Sequence, residues 1–267
     1  MSPSLVSIIM SVYNEENYLK ETIDSILNQT FQNFEFIIVD DGSTDDTAKI
    51  LNEYKEADRR IKIVTNQENI GIAGSTNRGI KCAIGKYVAI MDSGDLAHPK
   101  RLERQVNFLQ SHDDVFILGT QGIWIAEDGR RIGSYRMPLM VDSKALYGAG
   151  GAIHPSIMAR KALFDIIGFY DEKLVMSQEF DLYMRCLERN LGMANLDEEL
   201  ISIREREKGM TLAHLKTIQR NQLKIKIKYL PRFIGIWNVF YTLRSFGGYI
   251  LPSFMLSRIA KSGRRAR

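Results

Sequence analysis

Cysteine is scarce in this 267-residue chain. The two present, Cys82 and Cys186, are far apart and have no metal-type spacing. That argues against a disulfide framework or a thiolate metal cluster and suits a reducing compartment. The commonest glycine-rich phosphate cradles are missing too: there is no G-x-x-x-x-G-K-[ST] loop and no G-x-G-x-x-G after a strand. The opening residues, "MSPSLVSIIMSVYN", lack the basic start and long apolar stretch of a secretory leader, so a cytoplasmic location is expected. No repeat, low-complexity linker or nucleic-acid-binding motif stands out, and nucleic acid is not an expected partner.

Acidic residues are missing from one end. From Leu215 to Arg267 there are 12 Lys or Arg and no Asp or Glu, so residues 1–214 hold 24 basic and 32 acidic side chains, a net of −8. The division predicts an acidic body over 1–214 and a basic, aromatic-rich helical tail over 215–267 that meets something anionic. The tail also lacks a long apolar run. Its longest uncharged stretches, 233–243 and 245–257, have 11 and 13 residues, whereas a spanning helix needs about 20. Short apolar helices with Trp, Tyr and flanking Lys or Arg fit an anionic membrane surface instead. Packing on the body or a homodimer contact is the alternative.

What the body does have is alternation. "LVSIIMSVYN" (5–14), "FEFIIVDDGS" (34–43), "IKIVTN" (61–66) and "YVAIMD" (87–92) are short apolar runs. Between them fall helical patterns: Leu19, Ile23, Ile26 and Leu27; a helix capped by Ser43 or Thr44; and "IAGSTNRGIKCAIG" (72–85), stopped by Gly85. Another helix is expected from Pro99. The fold class is therefore α/β, a mostly parallel sheet covered by helices. After Gln105 the pattern loosens, with a hairpin turn at Asp128-Gly129 and an amphipathic helix over 177–190.

In such sheets ligands bind at the carboxyl ends of the strands. Those ends carry Tyr13-Asn14-Glu15, Asp40-Asp41-Gly42, Asn66 and the stretch Asp92-Ser93-Gly94-Asp95. Paired carboxylates can hold Mg²⁺ or Mn²⁺, which bridges to a diphosphate and neutralises charge as it departs.

At this point the successive blocks "SIIMSVYNEENYLKETIDSILNQTF", "FEFIIVDDGSTDDT", "NIGIAGSTNRGI" and "MDSGDLAHPKRLERQ" resemble those of family 2 glycosyltransferases. "HPSIMARKALFDIIGFYDEKLVMSQEFDLYMRCL" is similar to that family's acceptor-side region, and the likeness runs over residues 4–208. The resemblance implies the GT-A (Rossmann-like) fold and inverting transfer of a hexose from a UDP- or dTDP-type sugar to a glycan or lipid-linked hydroxyl in polysaccharide biosynthesis. By the same resemblance Val12, Tyr13 and Glu15 lie against the nucleotide. Asp40 bonds the base with Asp41 nearby, Asn77 and Arg78 contact the base and sugar-phosphate region, and Asp92 meets the ribose or metal. Arg204, Arg206 and Lys208 fall where the family has a mobile basic loop over the diphosphate; a solvated charge run is the alternative.

Two departures matter. The family's Asp-x-Asp-Asp reads Asp92-Ser93-Gly94-Asp95 here, so an acid is missing at Gly94 and Asp92 and Asp95 remain as candidate ligands for a weakened Mn²⁺ or Mg²⁺ site, the alternative being metal-weak catalysis with the diphosphate held by basic side chains. Asp95 could instead cap the following helix. The family's Glu-Asp-x-Asp reads Gln178-Glu179-Phe180-Asp181, which places Glu179 at the position of the catalytic base. Asp181 is then an orienting acid or itself the base. His154 and Trp124 are candidates for the acceptor side, or ordinary core residues. The competing functions are a nucleotide-sugar-binding protein with weakened or lost catalysis, and a sugar nucleotidyltransferase. "VYNEENY" lacks the glycine-rich basic loop the latter uses after its first strand.

Overall fold

The computed structural model describes residues 5–206 and 214–250. Lys208 and the tail beyond residue 250 lie outside the described residues. Strands and helices alternate at first: β1 (Val6–Val12), α1 (Leu19–Leu27), β2 (Phe34–Asp40), α2 (Thr47–Ala57), β3 (Ile61–Thr65), α3 (Gly71–Cys82) and β4 (Tyr87–Asp92). The order β3-β2-β1-β4 is parallel throughout. β2 is buried at every position, which is why it reads as one apolar run rather than an alternating strand.

Both faces of this half are covered. Ile8, Met10, Phe36 and Ile38 pack with Leu19, Ile23 and Ile26 of α1 and with Leu102 and Val106 of α4 (Arg101–Ser111). Ile9, Ile37 and Val39 share the other core with Ala73 and Ile80 of α3 and with Leu182 and Met184 of α7 (Gln178–Glu188). α8 (Leu215–Tyr229) adds Ile225 and Tyr229 to this second core, so the first helix of the tail packs on the body.

Beyond β4 the sheet becomes mixed. The three-residue strand β8 (Met158–Arg160) joins β4 antiparallel, followed by β6 (Val115–Ile125), β9 (Gly192–Arg204) and β5 (Leu96–Ala97). β9 runs parallel to β6, and β7 (Arg131–Tyr135) forms the hairpin expected around Asp128-Gly129. The remaining helices are α5 (Ser143–Ala149), α6 (Ala162–Ile167) and α9 (Ile236–Ile250).

Three helix boundaries differ from expectation, each for a local reason. α2 begins at Thr47, and Asp45 rather than Ser43 or Thr44 accepts the Thr47 N–H. Ser43 and Thr44 are engaged by Asn14 instead. α3 stops at Cys82, while Gly85 lies where a Cβ would stand 2.6 Å from the Ser7 nitrogen. Close approach to β1, not helix termination, requires that glycine. Pro99 precedes α4, which starts at Arg101.

α9 is inverted in polarity. Asn238 and Thr242 are buried toward the body, and the Tyr241 ring lies against Gly148. Ile236, Trp237, Phe240, Leu243 and Phe246 are exposed. An amphipathic helix normally buries its apolar stripe; this one turns it outward.

Candidate active site at the carboxyl ends of the strands

β1, β2 and β3 progress in one direction, and β4 lies on the opposite side of β1. Ligands of open α/β sheets bind at such a reversal. Val12 pairs with Asp40 and Ser11 with Asp92. At the usual strand spacing this puts Asp40 and Asp92 roughly 10 Å apart across the end of β1.

The loops after β1 and β2 are laced together. Asn14, in a left-handed conformation with φ 53°, receives the Thr44 N–H on its side-chain oxygen and donates its own N–H to Ser43 Oγ. The Glu15 N–H goes to Thr47 Oγ1, and Glu16 and Asp45 exchange further bonds with this turn. Tyr13 is left exposed above buried Val12. Asp40 holds its turn through Oδ1, which accepts the Ser43 N–H.

Asp41 serves the architecture. Its carboxylate accepts the N–H groups of Ile70 and Gly71 and the Asn66 amide, all within 2.9 Å. Those N–H groups open α3, where a carboxylate is favoured by the helix dipole. Asn77, expected against the nucleotide, spends its amide on the Tyr170 backbone: Nδ2 donates to Tyr170 O at 2.9 Å and Oδ1 accepts the Tyr170 N–H at 3.0 Å. Arg78 is exposed and bonds Thr65 O and Asn66.

The Asp92–Asp95 turn is surrounded by arginines. Asp95 is buried and its Oδ1 accepts the Arg204 N–H at 3.0 Å, so it does not cap α4. Burial first, and the Asp92 charge second, push its carboxyl well above the usual carboxylate range against the pull of Arg204 and Arg206. Arg204 ends β9 and is buried there. Its guanidinium donates to Gly94 O at 3.0 Å, to Glu127 O at 2.6 Å and to Glu21 at 2.5 Å. It is a fixed brace, which corrects the expectation of a mobile loop residue. Arg206 donates to Glu15 Oε1 and to Ser93 O, each at 2.8 Å. Both guanidinium carbons lie over the Tyr18 ring, 4.7 and 4.8 Å from its centre.

Beneath the turn lies Arg101, fully buried and not singled out by sequence reasoning. It donates to Ile90 O at 2.8 Å and to Gln105 at 3.2 Å. Burial pulls its guanidinium down to about 10, while the charges of Asp92 and Asp95 hold it up. It supplies the buried positive charge that two neighbouring acids need.

On the other side of Asp92 stands Glu179, in the first turn of α7. Burial raises its carboxyl above the usual glutamate value, the nearby His154 lowers it and Asp92 adds a further rise. His154 Nε2 is 3.0 Å from the Tyr170 hydroxyl. Tyr183, buried with no partner for its hydroxyl among the described residues, belongs to the same group. Met176 and Ser177, just before α7, have φ 70° and 64°. Two successive left-handed non-glycine residues store strain of the kind found where a side chain is aimed. Asn221 of α8 holds this turn by donating to Val175 O at 2.8 Å and Met176 O at 3.1 Å.

Asp181 is taken up elsewhere. Arg185 Nε reaches its Oδ2 at 2.7 Å and Lys228 its Oδ1 at 3.4 Å, which joins α7 to α8. The structure thus brings Glu179 and His154 to Asp92 and leaves Asp181 in a structural ion pair. Trp124 stacks on Tyr135, with centroids 5.1 Å apart, in the β6–β7 ribbon.

A divalent cation needs several oxygen ligands. Among the described residues no group of three or more His, Cys, Asp or Glu side chains is placed to hold one. Asp95 is committed to the Arg204 amide, and a Cβ on Gly94 would lie 1.8 Å from Arg206 Nη2. The donor set that includes Asp92 and Asp95 is a poor fit for a metal ion, because one Asp95 oxygen is taken and a guanidinium stands where a side chain at position 94 would begin.

Comparison with known proteins gives the family and the fold. The family model described as glycosyl transferase family 2 matches residues 7–171. A glycosyltransferase of Methanocaldococcus jannaschii, itself uncharacterised, is 33% identical over 96% of this chain and 92% of its own length. EpsE of Bacillus subtilis, named as a glycosyltransferase, is 35% identical over 75% of this chain and 73% of its own. Among solved structures, TarS of S. aureus in complex with UDP superposes with a TM-score of 0.66 at 22% identity, covering 84% of this chain and 65% of that one. The mannosyltransferase PcManGT of Pyrobaculum calidifontis, with GDP-Man and Mn²⁺, gives 0.67 at 16% identity over 98% and 81%. These two share the fold, a GT-A sheet built as here. The chain is a glycosyltransferase and belongs to glycosyl transferase family 2, with relatives in bacteria and archaea.

Proposed function

We propose that the chain transfers a hexose, with inversion, from a UDP- or dTDP-type sugar to a hydroxyl of a glycan or lipid-linked acceptor in polysaccharide biosynthesis. The observation that carries this reading is Glu179, half-buried beside His154 and Asp92 at the open end of the sheet. In the proposed step the acceptor oxygen attacks the anomeric carbon and its proton passes to the Glu179 carboxylate. The bond to the diphosphate breaks on the opposite face, and the nucleoside diphosphate leaves with the electron pair. A carboxylate made more basic by burial is better matched to that proton transfer than an exposed one. Asp40 and Tyr13 line the nucleotide end, Asp41 and Asn77 shape it, and Asp181 orients α7. His154 and Tyr170 border the acceptor side, with Trp124 farther out on the ribbon. One relative supports the polymer class: TuaG of Bacillus subtilis, 39% identical over 47% of this chain, is named for teichuronic acid biosynthesis. TarS, which shares the fold, has been solved with UDP-GlcNAc.

The reading is tested by incubating the chain with UDP-, dTDP- and GDP-sugars and a panel of glycosyl acceptors, and following the anomeric proton of the product. An α-linked donor giving a β-linked product supports inversion. Retained configuration contradicts the single displacement and the role of Glu179.

The outward apolar stripe of α9 supports peripheral attachment to an anionic membrane surface. No helix among the described residues is long and apolar enough to cross a membrane. Trp237 and Phe240 are at the exposed face, Lys144 stands 4.9 Å over the Trp237 ring, and the tail sequence is basic. Aromatic rings with flanking cations suit a headgroup boundary.

A further inference from the structure

Gly94 and Arg206 are a matched pair. Gly94 has φ +93°, and the place its Cβ would take is filled by the Arg206 guanidinium, with Nη2 at 1.8 Å and Cζ at 2.8 Å from the built atom. Any side chain at position 94 would displace that group. The guanidinium is held on three sides: Glu15 from the β1 loop, Ser93 O from the β4 turn, and the Tyr18 ring. It is half-buried, with 27% of its side chain exposed. Asp95 adds a favourable electrostatic interaction from within.

We propose that Arg206 takes the place of the divalent cation at this site and binds the donor diphosphate directly, so that nucleotide binding does not depend on metal. This rests on the donor reading above and assigns the residue that meets its phosphates. A guanidinium presents five N–H donors in a planar fork that matches phosphate oxygens. Among the described residues, Glu15 and Ser93 occupy two of those donors. The diphosphate can replace the Glu15 carboxylate as acceptor without leaving the cation unpaired. Glycine at position 94 is then functional rather than a loss: an acid there would restore a metal ligand and expel the arginine. The two solutions compete for one place, because the guanidinium lies where a side chain at position 94 would begin.

Calorimetric titration of the full chain with UDP, GDP and UMP, in EDTA and in Mn²⁺, tests this. The expected result is that UDP or GDP binds with the same affinity in both conditions. Arg206→Ala should weaken that nucleoside diphosphate by at least about tenfold, the worth of one charge-assisted hydrogen bond. Arg206→Lys should fall between, and UMP binding by Arg206→Ala should be less affected, which also reports that the variant is folded. Binding of UDP or GDP only in Mn²⁺, or undiminished binding by Arg206→Ala, overturns the inference and leaves the donor reading standing. Failure of wild type to bind either diphosphate in either condition overturns both.

Discussion

Replacing Arg101 by Met should cost the protein about 3 kcal/mol of stability while leaving the packing nearly unchanged. Arg101 has no exposed surface, and methionine follows much of its stem, so the loss isolates the guanidinium. Four bonds lose their donor, to Ile90 O at 2.8 Å, Gln105 Oε1 at 3.2 Å, Ile157 O at 3.3 Å and Met91 Sδ at 3.4 Å. Ile157 O keeps the Ile90 N–H. One orphaned buried acceptor costs about 1–3 kcal/mol. Asp92 and Asp95 also lose a buried counter-charge, an effect that reaches about 3–5 kcal/mol when a buried pair is broken outright. Against these stands the relief of no longer burying a cation, which the downward shift of Arg101 to about 10 reflects. The net should consume a large part of a typical 5–15 kcal/mol. Urea unfolding at neutral pH gives the answer through the midpoint at constant slope. Arg101→Met matching wild type within about 0.5 kcal/mol would refute the account of Arg101 as the counter-charge beneath the two acids.

Two further outcomes are expected. Asn221→Ala should lower kcat by about tenfold with KM little changed, because the left-handed Met176–Ser177 turn that aims Glu179 loses both bonds from α8; equal kcat would show that the turn holds itself. Trp237→Glu with Phe240→Glu should abolish co-sedimentation with vesicles containing anionic phospholipid while transfer to a water-dissolved acceptor persists, whereas a change only in oligomeric state would point to a dimer contact instead.

The first four strands and the acids at their ends were legible because β1, β2 and β4 are buried on both faces and so read as unbroken apolar runs. β9 was not, since Asp197 and Glu198 are exposed in its middle and interrupt any strand pattern. With β9 missed, Arg204 looked like a loop cation instead of the brace at its end. Arg101 was hidden for the opposite reason. In "HPKRLERQ" it is one charge among several on a helix, and only the fold shows that this one points inward. The pairing of Gly94 with Arg206 joins residues more than a hundred positions apart, and no local pattern carries it. Asn77 and Asp41 were expected against the nucleotide, and their bonds to Tyr170 and to the start of α3, which no local pattern announces, hold the loops around them.

Whether Glu179 deprotonates the acceptor is read from kcat/KM measured against pH for wild type and Glu179→Gln. A base must be ionised, so the wild-type rate should fall as pH drops through its folded value, with a midpoint above the usual 4.5 because burial raises that carboxyl. Glu179→Gln should lose about 10²–10⁴ in rate, the worth of a positioned proton acceptor, together with that acidic limb, while nucleoside diphosphate affinity is kept. A variant that transfers sugar at the wild-type rate with the same limb would contradict that role.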